Sequence, residues 1–138
     1  MAAVTLRDAR KAVYDRWIAL WPPLYPAVPY YFDNENASPG AGPWARVAVR
    51  ETASIQETLG ASGNRKFERK AIALVQLFAP RDTGVGTISD LAQAARGIYE
   101  GVSFNGIDVY EVTPREVPTQ DRWFQVTVEV LFNYYETK

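Results

Sequence analysis

The sequence contains neither cysteine nor histidine. Without cysteine there are no disulfides, no thiolate zinc sites and no thiol nucleophiles. Without histidine the commonest general base and the commonest metal ligand are gone, and serine–histidine and cysteine–histidine catalysis go with them. An enzyme built from this chain has only carboxylates, lysine or tyrosine to work with. Long hydrophobic runs are lacking too. No stretch approaches the roughly 20 apolar residues of a membrane-spanning helix. The opening "MAAVTLRDARKAVYDRW" carries charge in its first turns and has no long apolar centre, so it does not read as a signal peptide. The expectation is a cytoplasm-like compartment and no membrane partner. Excess basic charge is the last absence: the net charge is −1 and the pI is near 5.5. A general nucleic-acid binder draws most of its affinity from a basic surface, so that class is disfavoured.

What is present suits one folded domain. The 138 residues are 47% hydrophobic and 22% charged, enough for a core under an ordinary soluble surface. Residues 5–20, "TLRDARKAVYDRWIAL", predict an amphipathic helix with Leu6, Ala9, Val13, Trp17 and Leu20 on one stripe. Thr5 and Asp8 resemble a capping box. "WPPLYPAVP" then breaks regular structure, because its prolines fix φ and remove donors. It is expected to pack as an extended surface segment, with Trp21 and Tyr25 either covering the core or forming a contact surface.

Tyr30 opens a short strand that becomes a turn-rich loop before Trp44. "WARVAVRE" alternates, with Ala45, Val47 and Val49 opposite Arg46 and Arg50, and predicts a half-buried strand. "TASIQETLGASGN" has no periodicity and reads as a long polar loop over residues 51–66, ordered by neighbours only. "RKFERKAIALVQLF" is a strand in two halves. The apolar half belongs in the centre of a sheet, covered on both faces; the charged half projects beyond the body. A second helix starts near Thr87, with Ile88, Leu91, Ala95 and Ile98 as its stripe and Gly101 at its left-handed end. "IDVYEVTPREV" and "RWFQVTVEVLFNYYE" close the chain as strands. In the last, Phe124, Val126, Val128, Val130, Phe132 and Tyr134 face one way. This order predicts an α+β fold: a mostly antiparallel sheet of four to five strands with two helices packed on one face, as a single domain over residues 1–138.

The glycine loop in "FAPRDTGVGTISD" invites comparison with a phosphate cradle. A Walker loop needs four residues between its glycines and then lysine; a dinucleotide fingerprint needs a third glycine where Ser89 stands. Gly84 and Gly86 satisfy neither. A strand stop at Pro80, a glycine reversal and a cap at Thr87 explain the loop without a ligand. The acids Asp33, Glu35, Asp82 and Asp90 lie in or beside loops, with no spacing that places two on one buried face. No catalytic residue, cofactor site or metal site is expected.

The succession of segments resembles a known family. From the N-terminal helix through "PYYFDN", "GPWARVAVRE", "TASIQETLGASGN", "RKFERKAIALVQLFAP", "ISDLAQAARGIYEG" and "RWFQVTVEVLFNYYE", the chain is similar to tail terminator (tail completion) proteins of long non-contractile-tailed bacteriophages. That family includes the lambda minor tail protein U. The resemblance implies a virion protein assembled in the host cytoplasm as a homohexameric ring on the head-proximal end of the tail tube. There it ends tube polymerisation and offers a joining surface to a head-completion or neck protein. Genomic DNA passes through such a ring without specific binding, which a near-neutral charge suits. Neighbouring roles in the same particle, a neck or tail adaptor or a tube subunit, are the alternatives, with a small-ligand-binding domain more remote. Within that reading, Arg50, Glu51, Lys66, Glu68, Arg69 and Lys70 are candidates for contact with an adjacent subunit or the tube end. They sit on a charged hairpin outside the core, where opposite charges set register.

Overall fold

A computed structural model describes residues 5–120 and 122–138. Helix α1 (Leu6–Leu24) starts where the sequence places it, with the Asp8 amide donating to Thr5 Oγ1 at 3.1 Å. It ends later than expected. The stripe continues through Trp21, which is fully buried, and not through Leu20, which is exposed. Pro22 and Pro23 therefore lie inside the last helical turn, not in an extended segment. The carbonyls they leave without donors belong to Ile18 and Ala19, both on the solvent side, where water serves them. Stacking of Trp17 on Trp21, with ring centroids 4.4 Å apart, holds the turn to the core.

The sheet has six strands in the order β1-β2-β3-β6-β5-β4, so the expected four to five is too few. Three long strands, β2 (Trp44–Gln56), β3 (Lys66–Pro80) and β6 (Trp123–Thr137), run side by side, each antiparallel to the next. Strand β5 (Ile107–Gln120) pairs with β6 as a hairpin. Two short strands finish the edges. β1 (Tyr30–Phe32) runs parallel to β2, and β4 (Ser103–Phe104) turns into β5 through Asn105 and Gly106, both with positive φ. Asn-Gly in two left-handed positions is the preferred tight hairpin turn.

Both helices cover one face. The second, α2 (Gly86–Tyr99), lies over β3, β6 and β5, and α1 packs on α2 and β2. Val47, Val49, Val75, Leu77, Val128, Val130, Phe132 and Tyr134 meet them in the core. The facing read for the last strand is the one observed. Strand β3 differs: Ala71, Ala73, Val75, Leu77 and Ala79 are buried, but Ile72, Leu74 and Phe78 are only half-buried. Its apolar half is covered on one face, not two. Residues 51–56 also differ, because they continue β2 past a bulge at Thr52 instead of forming a loop.

The glycine loop is a turn. Asp82 and Gly84 take positive φ, and Thr83 Oγ1 donates to the Pro80 carbonyl at 2.8 Å. The residue ahead of α2 is Val85, and no side chain caps the helix, so Thr87 is inside the first turn and not the cap. Gly101 does take the left-handed position behind α2.

Candidate assembly surfaces

Two parts of the sheet lie outside the helix-covered core. The first is an arm in which β2, β3 and β6 run on together, joined at its tip by residues 57–65. It carries all six charged candidates, and the structure places them as braces of the arm. On the core-side face, Arg69 donates to Glu136 at 2.8 Å and to Ser54, and its side chain is only 13% exposed. Glu51 Oε1 accepts the Tyr134 hydroxyl at 3.2 Å. Burial first, and the Glu51 carboxylate second, push the Tyr134 hydroxyl up to about 12. On the opposite face, Asn133 donates to Glu68 at 3.0 Å, and the Lys66 ammonium lies 4.2 Å from the Tyr135 ring centroid. Lys70 is half-buried, and its carbonyl accepts Thr52 Oγ1 at 3.1 Å. Arg50, at the base, is paired with Asp33; that bond holds the Asp33 carboxyl below the usual range. The arm is stiffened at its open end as well, where Arg65 and Lys138 exchange backbone hydrogen bonds at 2.9 and 3.3 Å.

The outer edge of this arm has no strand on it. A bulge at Thr52, the charges of Arg50 and Glu51, and the Arg10 guanidinium donating to the Val49 carbonyl at 3.1 Å protect part of it. β1 pairs with β2 only at Ala45–Val47, so from Ala48 to Gln56 the edge has no strand partner among the described residues. No proline or lysine interrupts that edge. The opposite outer strand, β5, carries Pro114 and Pro118, which cannot donate to an added strand and so discourage pairing.

The second part is the sheet face away from the helices. Half-buried Ile72, Leu74, Phe78 and Leu131 run across it. At one end Trp44 stacks on Phe78 at 4.1 Å and meets Trp123 edge-on at 6.0 Å. Trp44 Nε1, Arg46 Nε and Asn133 Oδ1, all on this face, are buried without a hydrogen-bond partner. Buried polar atoms are normally paired, but Arg10 Nε, Tyr14 Oη and Trp17 Nε1 on α1 are unpaired as well, so these atoms do not single out this face. What does is its half-buried apolar row with no helix over it. Sequence reasoning overlooked this face. The signal was the mixture of Trp44, Phe78 and Leu131 into positions that alternation assigns to solvent.

Among the described residues, no group of His, Cys, Asp and Glu is placed to hold a metal ion, and no helix is long and apolar enough to cross a membrane. No family model matches the chain, and no curated protein does either. Eleven solved chains match its fold. One, whose name describes no function, superposes with a TM-score of 0.73 over 96% of both chains at 18% identity. At that identity the likeness shows the fold alone.

Proposed function

We propose that this chain is a structural virion protein of the tail terminator kind. It forms a ring at the head-proximal end of a phage tail tube, ends tube polymerisation and presents the surface on which a head-completion or neck protein joins. The observation that carries the reading is the subunit's incompleteness. One whole sheet face has no helix on it, and a three-stranded arm whose outer edge no strand pairs extends past the core. Such surfaces cost solubility in a free monomer and are covered in assemblies. The segment-by-segment resemblance to tail terminators supplies the identity of the assembly. In this proposal there is no catalysis, and DNA passes without specific contact.

The native mass of the purified chain across a wide concentration range tests it. A terminator is a monomer that closes into a hexamer and stops. Long tubes would instead make the chain a tube subunit, and the proposal would fall.

A further inference from the structure

We draw no further inference here: the strongest candidate, the sheet face away from the helices with Ile72, Leu74, Phe78 and Leu131 half-buried across it, carries nothing, because nothing in the structure shows what covers it.

Discussion

Phe132 sits at the middle of β6 with no exposed surface, next to Tyr134 on the same face, their ring centroids 6.4 Å apart. Phe132→Ala removes a ring enclosed in the core between the helix layer and the sheet. Core substitutions of this type cost about 3–5 kcal/mol, so the denaturant midpoint should fall steeply with an unchanged slope. Tyr134 gives a pH signature. Its hydroxyl is raised to about 12 by burial and by Glu51, and the Tyr99 hydroxyl, donating to the Val13 carbonyl at 2.8 Å, is also raised by burial. Raised values mean that the fold favours the neutral phenols. The stabilisation is complete below the unfolded tyrosine value near 10 and is lost as pH climbs through the folded value. Stability should thus fall between about pH 10 and 12, and Tyr134→Phe should fall less steeply, leaving the Tyr99 contribution. Equal slopes for both proteins would show that Tyr134 ionises freely. Phe132 and Tyr134 were legible in the sequence, because alternation over β6, broken only at Leu131, leaves one solution for the core face. Tyr99, on α2, was not read. Trp21 was not legible either. Its two following prolines argue for a helix end, and only the stacked Trp17 shows why the helix goes on.

The arm is the element on which local rules and tertiary structure part. Residues 51–56 are mostly polar, and Ile55, with only Ala53 and Glu57 two positions away, sets up no alternating run that announces a strand. They are extended because β3 supplies a register from Ala53↔Lys70 to Gln56↔Phe67. The charges of "RKFERK" looked like a solvent-facing tip, yet Arg69 is enclosed by Glu136, Ser54 and the Phe67 ring. Charge reversal at Arg69 is therefore no neutral surface change. Arg69→Met should remove charge-assisted bonds worth roughly 1–3 kcal/mol. Because the arm lies outside the core, the loss should appear locally, as about ten- to hundredfold faster amide exchange over residues 51–56 with Val47 and Val49 still protected. Unchanged exchange in the arm would mean that the pairing of strands, and not this cluster, holds it. The Asn105-Gly106 hairpin was missed altogether: Asn-Gly is a hairpin turn signal, but a strand as short as Ser103–Phe104 has no periodicity to go with it. The short strand at Tyr30 was read, but its parallel pairing with β2 was not, since nothing in three residues sets a strand's direction.

At the scale of the molecule, layer order and helix placement followed from periodicity, because burying one stripe per helix leaves few arrangements. Assembly surfaces do not write themselves in this way. Their residues alternate or cluster as a monomer's surface does, and the edge of β2 that no strand pairs becomes visible only when β1 is seen to stop at Val47. In the proposed role the chain is the piece that decides where a tube ends. The direct measurement is the length distribution, by electron microscopy, of tails assembled with and without this chain. With it, tails should share one length and join heads; without it, tubes should run on to uncontrolled lengths and stay headless. Tails of normal length that join heads in its absence would contradict the account.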